Sequence, residues 1–187
     1  AFFNLSSVNR IQFEAGSPFK LELSCKDVDI NGVIVIPNHI EIIKSYAFYG
    51  CKELKEIILH DKVIYIGDSS FSNSGLKVIE IPSSVIRIGN DSFGSCSDLQ
   101  EVYFSQYSSL LEIGNFSFIY AQQLTHVHIP KSVRTIGIGA FAYCHSLVSF
   151  IFDYHIKLES IDIGLLYLAS SLEKIVIPNS VKEIKAS

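Results

Sequence analysis

The stretch Ile81–Cys96, IPSSVIRIGNDSFGSC, decides the fold because it returns along the chain with few substitutions. Related copies are IPNHIEIIKSYAFYGC at Ile36–Cys51 and IPKSVRTIGIGAFAYC at Ile129–Cys144, and a shorter copy, IPNSVKEIK, begins at Ile177. Similarity at a fixed period marks a repeat architecture, in which stacked units share one continuous core. The sequence therefore predicts a solenoid.

The spacing of the repeats defines their length and limits. Each repeat is marked by the last apolar residue of a strand-like segment, and successive marks are 22 to 25 residues apart: Phe13, Ile36, Leu59, Ile81, Phe104, Ile129, Phe152 and Ile177. This period lies in the range of leucine-rich repeats. We predict one solenoid over 1–187, with a degenerate repeat at 8–30, six repeats over 31–171 and a truncated repeat at 172–187.

Each repeat opens with Leu-x-x-Ile-x-Ile or a close variant, as in Leu54–Leu59, Leu99–Phe104 and Leu172–Ile177. The second half of this motif alternates with period two and is rich in β-branched residues, which predicts a short strand. Stacking then places these strands side by side in a parallel sheet. In every second repeat a proline follows the strand, where it ends the hydrogen-bonded ladder because it has no N–H: Pro37, Pro82, Pro130 and Pro178.

Further ladders follow the strand in each repeat. An aromatic ladder predicts a stacked spine in the core, with leucine in the sixth place: Phe48, Phe71, Phe93, Phe118, Phe141 and Leu166. Glycine follows an isoleucine in four repeats, which indicates either a positive φ or a close backbone approach: Gly67, Gly89, Gly114 and Gly137.

Three of the four cysteines share one repeat position, three residues after the aromatic ladder. Cys51, Cys96 and Cys144 are two repeats apart, and strands about 4.8 Å apart would separate neighbouring members by roughly 10 Å. A disulfide needs Cα atoms within about 7 Å. We therefore predict three buried free thiols, whereas Cys25 is out of register and has no predicted place.

Composition and motifs argue against several functions. The net charge is −4 with no basic stripe, which disfavours nucleic-acid binding and docking to anionic membranes. No apolar run reaches the length of about 18 residues that membrane insertion requires. Nucleotide-binding, metalloprotease and hydrolase motifs are missing, so the sequence predicts no enzyme, no cofactor and no metal site. His126 and His128 share a strand face, but the spacing fixes no third ligand.

No signal peptide is visible in the sequence. We interpret the chain as a piece of a longer protein, because Ala1 is not an initiator Met and Ser187 lies inside a repeat. Three Asn-x-Ser sequons, at Asn4, Asn90 and Asn115, would be glycosylation acceptors in a protein secreted by a eukaryote. Chance in a chain rich in Asn and Ser explains them equally well.

The pattern IPxSVxxIGxxAFxxC followed by Leu-x-x-Ile resembles the BspA-like, or Treponema-type, leucine-rich repeats. The resemblance covers 31–185 and departs from the pattern at Asp162–Leu166. It implies an α/β-type solenoid with a parallel sheet on the concave face and irregular turns or short helical segments on the convex side. It also implies a cell-surface or secreted protein that adheres to host proteins or cells, with a host extracellular-matrix or cell-surface protein as partner. The family has no enzymatic residues to carry over.

Alternation along the strands predicts which residues face solvent on the sheet. An apolar strip with polar neighbours on such a face is typical of a protein interface. The predicted protein-binding residues are Val35, Glu56, Ile58, Glu80, Glu101, Tyr103, His126, His128, Ile151, Lys174 and Val176. β-Propensity alone also explains the apolar members. Two other functions stay open: a structural spacer in a longer surface protein, and an intracellular or immune-type scaffold.

Overall fold

The computed structural model describes residues 23–186. Most of the predicted degenerate repeat at 8–30, including Phe13 and the sequon at Asn4, lies outside the described residues. No helix within 23–186 is both long and apolar enough to cross a membrane.

The strand-like segments of six repeats form one parallel sheet, here called sheet A. Every strand pairs with its equivalent in the next repeat, so that equivalent residues lie side by side. With all strands numbered in chain order, sheet A consists of β1 (Val33–Val35), β3 (Glu56–Ile58), β5 (Val78–Ile81), β7 (Glu101–Phe104), β9 (His126–Ile129) and β11 (Ser149–Phe152). The predicted parallel sheet is confirmed, and we number its repeats one to six.

A second parallel sheet, which the sequence analysis did not predict, follows sheet A around each turn of the solenoid. Sheet B consists of β2 (Ile42–Ile43), β4 (Tyr65–Ile66), β6 (Arg87–Ile88), β8 (Glu112–Ile113) and β10 (Thr135–Ile136). A separate pair, β12 (Ser160–Asp162) and β13 (Glu183–Lys185), joins the sixth repeat to the truncated one.

Turns connect the two sheets, and the only helical segment in residues 23–186 is a 3-10 turn at Cys25–Asp27. Its first residue is preceded by Ser24, whose hydroxyl accepts from the Lys26 N–H while the Asp27 carboxylate accepts from the Ser24 N–H. The fold is therefore a leucine-rich repeat solenoid, and its described part is built from strands and turns. The sequence predicted irregular turns or short helical segments between the strands, and the structure has turns.

A return turn leads from each sheet B position back to the next strand of sheet A, over 44–53, 67–75, 89–98, 114–123, 137–146 and 163–171. One phenylalanine in each of the first five return turns is fully buried. Consecutive rings stack with centroids 4.9–5.3 Å apart and planes within 7° of parallel: Phe48, Phe71, Phe93, Phe118 and Phe141. The predicted aromatic spine is confirmed, and Leu166 extends it as a partly buried residue.

The return turns are also joined to one another through the backbone. The Phe71 N–H donates to the Ser92 carbonyl at 2.8 Å, and the Phe93 N–H donates to the Ser117 carbonyl at 2.7 Å. Such close stacking explains the glycine ladder. A Cβ on Gly67 would lie 2.5 Å from the Ser45 nitrogen, and none of the four ladder glycines has a positive φ. Of the two explanations for these glycines, close backbone approach is the one that holds.

Left-handed backbone recurs on both sides of the phenylalanine stack. Residues two positions before the stacked ring have φ between 51 and 63°: Tyr46, Ser69, Asp91, Phe116 and Gly139. Residues two positions after it, with Leu166 as the sixth member of the stack, have φ between 56 and 71°: Gly50, Asn73, Ser95, Tyr120, Tyr143 and Leu168. These positions accept large side chains in some repeats although L-residues disfavour this conformation.

The prediction of three free thiols is wrong at Cys51. Cys51 forms a disulfide with Cys25, with Cα atoms 5.4 Å apart, whereas Cys96 and Cys144 are buried and free as predicted. The argument considered only cysteines two repeats apart. Cys25 precedes Cys51 by 26 residues, which is close to one repeat, and neighbouring turns of a solenoid bring residues within disulfide range.

The prolines after the sheet A strands change the hydrogen bonding between repeats. The Ser105 N–H donates to the Ile81 carbonyl at 3.1 Å, and the Asp153 N–H donates to the Ile129 carbonyl at 2.8 Å. Proline cannot make this bond because it has no N–H. The bond is therefore impossible wherever the following repeat carries a proline at this position: Pro82, Pro130 and Pro178.

Sheet A ends at β11, one strand earlier than the sequence predicted. The segment Leu172–Ile177 has the strand motif, but it forms no strand. Within the described residues, no backbone hydrogen bond joins 173–177 to β11. The truncated repeat is instead held through β13, which pairs with β12.

Candidate functional site

The exposed face of sheet A carries two columns of side chains whose register follows from strand pairing. In the first column Glu56 lies beside Val33 and Val78, and Glu101 lies beside Val78 and His126. In the second column each pair lies on adjacent strands: Val35 with Ile58, Glu80 with Tyr103, and His128 with Ile151.

Large apolar side chains of the second column are open to solvent. Ile58 is 46% exposed, Tyr103 is 53% exposed and Ile151 is 54% exposed. The alternating core residues of the same strands, such as Ile57 and Phe150, are buried. The face therefore presents an apolar strip, interrupted by Glu80 and His128, on a backbone whose opposite side is packed into the core.

The charges of this face have one sign. Glu56, Glu80 and Glu101 are exposed, and the outward positions of the six sheet A strands hold no Lys or Arg. The Tyr103 hydroxyl donates to the Glu101 carboxylate. This hydrogen bond, together with burial and the carboxylate charge, raises the pKa of Tyr103 above its usual value.

The histidines of the face are exposed and are not brought into a metal site. His126 Nδ1 lies 3.0 Å from the Thr125 hydroxyl. Within residues 23–186 there is no group of three or more His, Cys, Asp or Glu side chains with the geometry to hold a metal ion. His126 and His128 therefore add aromatic and hydrogen-bonding groups to the C-terminal half of the face.

Two of the predicted site residues do not join the columns. Lys174 and Val176 are exposed, but their segment forms no backbone hydrogen bond to β11 among the described residues. Backbone pairing therefore carries the columns as far as Ile151, and the place of Lys174 and Val176 in the binding surface stays a prediction. A strand motif shows only that a segment has the side chains for a sheet, whereas pairing requires that the segment also meets the neighbouring edge.

A second exposed apolar column, missed by the sequence analysis, lies at the start of the sheet B strands. Ile64, Ile86 and Leu111 are exposed, and consecutive members are linked by N–H to carbonyl bonds of 2.9 and 2.8 Å. The next column contains the Arg87–Glu112 ion pair, with an Nε to Oε1 distance of 3.3 Å. The sequence could have revealed this column, because Ile64, Ile86 and Leu111 occupy the same position in successive repeats.

The free thiols offer no nucleophile to either surface. Burial raises the pKa of Cys96 to about 11 and that of Cys144 to about 12. Cys96 also contacts the Ser74 hydroxyl at 3.3 Å and the Phe71 carbonyl at 3.0 Å. Both thiols therefore remain protonated in the core and act as small apolar groups.

Comparison with known proteins agrees with this geometry. Residues 26–148 and 105–187 match the BspA type leucine rich repeat region, in six copies. The chain belongs to the BspA-type leucine-rich repeat family. The predicted resemblance is confirmed, and the BspA-type repeats extend over almost all described residues. A search of curated proteins found no match.

Solved structures of bacterial leucine-rich repeat proteins resemble this BspA-type chain. The T. pallidum protein TpLRR is 30% identical with a TM-score of 0.70, over 76% of this chain and 67% of TpLRR. A leucine-rich repeat protein from Eubacterium ventriosum is 24% identical with a TM-score of 0.73, over 84% and 42% of the two chains. The pneumococcal vaccine antigen PcpA is 23% identical with a TM-score of 0.61, over 80% and 51%. This chain thus spans about half the length of PcpA, and the last two likenesses show the fold alone.

Proposed function

We propose that the exposed face of sheet A is a non-catalytic binding surface through which this protein adheres to a host extracellular-matrix or cell-surface protein. The observation that carries the proposal is the apolar strip of Ile58, Tyr103 and Ile151 beside the carboxylates of Glu56, Glu80 and Glu101. Exposed apolar area with polar neighbours is typical of protein interfaces, and tyrosine is enriched in them.

The surface is held by a rigid support, which lowers the cost of binding. Adjacent strands of sheet A are paired, and the side chains that alternate with the exposed ones belong to one buried core. A preorganised surface loses little conformational entropy when a partner binds. Side chains on strands are also placed more accurately than side chains on loops.

The charge of the face predicts the chemistry of the partner. Three carboxylates without a compensating Lys or Arg favour a partner that presents basic side chains next to apolar ones. The carboxylates are exposed to solvent, so their attraction is screened by salt. We expect association to slow as ionic strength rises, while the apolar strip sustains the complex once it has formed.

A location at the cell surface or outside the cell agrees with the cysteines. The Cys25–Cys51 disulfide is a type of bond that persists in secreted and surface proteins and is rare in reducing compartments. This bond, together with membership of the BspA-type family, supports the surface location over the intracellular scaffold.

The proposal is tested by binding of the 187-residue chain to immobilised extracellular-matrix proteins and to intact host cells. The test variant carries Ile58→Glu, Tyr103→Glu and Ile151→Glu. The matched control carries Ile64→Glu, Ile86→Glu and Leu111→Glu, which adds the same charge at apolar residues of similar exposure near sheet B. Circular dichroism and a thermal melt establish that both variants are folded.

We expect the sheet A variant to lose at least about tenfold in affinity, since interface centres are sensitive to charge, and the control to bind like the wild type. Loss in the control alone would move the site to the sheet B column. Equal binding by all three proteins, or no binding by any, would overturn the proposal and favour a structural spacer.

A further inference from the structure

The surface of the return turns rises in a step between the third and the fourth repeat. Residues two positions after each member of the phenylalanine stack lie side by side in successive repeats: Gly50, Asn73, Ser95, Tyr120, Tyr143 and Leu168. The first three of these residues are small, and tyrosine follows in the fourth and fifth repeats. The step therefore lies between Ser95 and Tyr120, in the middle of the solenoid.

One face of the Tyr120 ring is covered, and the other is turned toward the step. The Tyr143 ring comes from the following repeat and stacks on Tyr120 with centroids 4.5 Å apart and planes 28° apart. The opposite face of Tyr120 therefore looks toward the preceding repeat, where the Ser95 N–H donates to the Ile119 carbonyl at 2.7 Å. A serine side chain is too short to cover a phenol ring, and Tyr120 is 40% exposed. The step thus presents an open aromatic face above a serine.

The Tyr120 ring is supported from behind. Tyr143 is half-buried, and the rings of Tyr167 and His145 meet it edge-on with centroids 5.5 and 6.3 Å away. Tyrosine offers a large flat contact area with few rotatable bonds. Because the stack already orders the ring, a ligand that contacts it loses little binding energy to further ordering.

The backbone does not explain why tyrosines occupy these positions. Tyr120 has φ of 59° and Tyr143 has φ of 60°, a conformation that large L-residues disfavour. Serine, asparagine and glycine hold the same position in the first three repeats. Residues in such strained conformations are concentrated at functional and ligand-binding sites. The tyrosines add an aromatic surface, which points to a ligand that uses one.

The floor of the step is polar, and the aromatic side carries no charge. The Ser95 hydroxyl makes no side-chain hydrogen bond to any part of 23–186, and the Asn73 Oδ1 accepts from the Lys52 ammonium at 2.7 Å. That bond leaves the amide N–H groups of Asn73 as donors. No Asp, Glu, Lys or Arg occurs in 115–124 or 137–147. The step therefore combines an uncharged aromatic wall with neutral hydrogen-bonding groups.

From this combination we infer that the step binds a neutral glycan, with one pyranose ring stacked on Tyr120 above Ser95. A pyranose presents C–H groups on one face, and these are attracted to the negative face of an aromatic ring. Its hydroxyls lie around the rim, within the reach of Ser95 and Asn73. The sugar ring continues the stack of Tyr143 and Tyr120 at the repeat spacing of about 4.8 Å.

The uncharged wall favours a neutral ligand, because charged partners are recognised by complementary charges. The step lies on the return turns and shares no residue with the exposed face of sheet A. The inference therefore stands apart from the proposed function, and either can fail without the other.

The test titrates four neutral probes into the 187-residue chain: cellohexaose, maltohexaose, mannohexaose and chitohexaose. Amide chemical shifts of the protein give the dissociation constant, and saturation-transfer NMR identifies the sugar protons that touch it. We expect at least one probe to bind with a dissociation constant of about 1 mM or below. Saturation should reach mainly the C–H protons of one sugar face.

The sharpest variant is Ser95→Tyr, which places a ring where the sugar would lie. Tyrosine already holds this left-handed position in the next two repeats, so the variant should fold. We expect Ser95→Tyr and Tyr120→Ala each to weaken binding by at least about tenfold. Tyr120→Phe keeps the ring face and should bind within about twofold of the wild type.

The matched control is Tyr154→Ala, which removes a tyrosine that is 80% exposed on the loop after β11. It should bind like the wild type. Circular dichroism and a thermal melt establish that each variant is folded.

Each contrary outcome overturns the inference. Wild-type binding by Ser95→Tyr, or equal weakening by Tyr154→Ala, would place the glycan away from the step. Failure of all four probes to bind at about 10 mM would exclude a neutral glycan. Extended proline-rich peptides also dock on aromatic surfaces. Binding of a decaproline peptide that Ser95→Tyr blocks, without binding of any glycan, would assign the step to a peptide instead.

Discussion

The return turns of the second and third repeats follow the same backbone course as those of the fourth to sixth repeats. Their exposed side chains differ in chemistry, being polar in the first group and mostly aromatic or aliphatic in the second. In the earlier pair, small polar residues occupy the left-handed positions, and they are linked across repeats. The Ser69 hydroxyl donates to the Asp91 carboxylate at 3.2 Å, and the Lys52 ammonium donates to the Asn73 side chain at 2.7 Å. Serine, aspartate and asparagine are residues expected in such turns.

In the later repeats the same positions carry large side chains except at Gly139: Phe116, Tyr120, Tyr143 and Leu168. The rings of Tyr120 and Tyr143 stack with centroids 4.5 Å apart, and the ring of Tyr167 meets Tyr143 edge-on at 5.5 Å. No Asp, Glu, Lys or Arg occurs in 115–124, 137–147 or 163–172. One side of the solenoid therefore changes from polar to aromatic and uncharged along its length.

The comparison shows that the backbone conformation of the turn is determined by its buried side and not by the residue at the left-handed position. The Asn73 N–H donates to the Gly94 carbonyl at 2.8 Å, and the Tyr120 N–H donates to the Ala142 carbonyl at 3.0 Å. These equivalent bonds and the shared phenylalanine stack hold both kinds of turn. Strain at a single residue persists when its surroundings determine the conformation.

The largest loss of stability is expected at Phe93, where the two groups of turns meet. Phe93 is fully buried and its ring stacks on Phe71 in one group and on Phe118 in the other. Phe93→Ala should lower the free energy of unfolding by about 3–5 kcal/mol, as for other buried aromatic residues. Phe116→Ala is the control, since this phenylalanine is exposed at a left-handed position. Urea denaturation measures both, and a loss below about 1 kcal/mol for Phe93→Ala would contradict the core role of the stack.

A smaller change in the free energy of unfolding is expected when the serine before the stacked phenylalanine is replaced by alanine. The change should have opposite signs in the two groups of turns. The Ser92 hydroxyl is buried without a hydrogen-bond partner among the described residues, whereas the Ser117 hydroxyl donates to the carbonyls of Gly114 and Gly89 at 2.6 and 3.1 Å. The fifth repeat has Ala140 at this position.

Ser92→Ala should therefore raise the free energy of unfolding by about 1 kcal/mol, and Ser117→Ala should lower it by about 1 kcal/mol. Equilibrium denaturation of the two variants beside the wild type measures the difference. The same sign of change in both variants would refute the distinction.

The smallest effect concerns the left-handed backbone itself. Tyr120→Ala and Tyr120→Asn both remove the stack on Tyr143, but asparagine tolerates φ near +59° better than alanine does. The Asn variant should be more stable than the Ala variant by about 0.5–1 kcal/mol. The reference is Asn73→Ala in the second repeat, which should lose a similar amount. Thermal melts of the three variants suffice, and equal stability of the two Tyr120 variants would mean that the turn relaxes.

The repetitive parts of the structure were predictable because one local rule acts many times. Alternation, proline stops and the aromatic ladder each recur at the repeat period. A position that departs from one of these patterns can therefore still be assigned from the others. Sheet A from β1 to β11, the phenylalanine spine and the outward columns up to Ile151 all follow from this recurrence.

The features that sequence reasoning missed depend on single contacts or on very short segments. Sheet B strands of two residues, such as Tyr65–Ile66, show no measurable alternation. The Cys25–Cys51 disulfide joins a residue outside the repeat register to one inside it. The segment Leu172–Ile177 has a strand sequence, but its pairing with β11 depends on tertiary contacts. The register of the outward columns was therefore predictable as far as Ile151, and the place of Lys174 and Val176 stays a prediction.

The alternation of proline and non-proline repeats has a consequence for how such a chain can lengthen. A bond like that from Ser105 to Ile81 can form only where the following repeat carries a residue with an N–H. Duplication of a two-repeat block preserves the alternation, whereas duplication of one proline-bearing repeat would create two successive junctions without the bond. The pair of repeats is thus the natural unit for gene duplication in this solenoid.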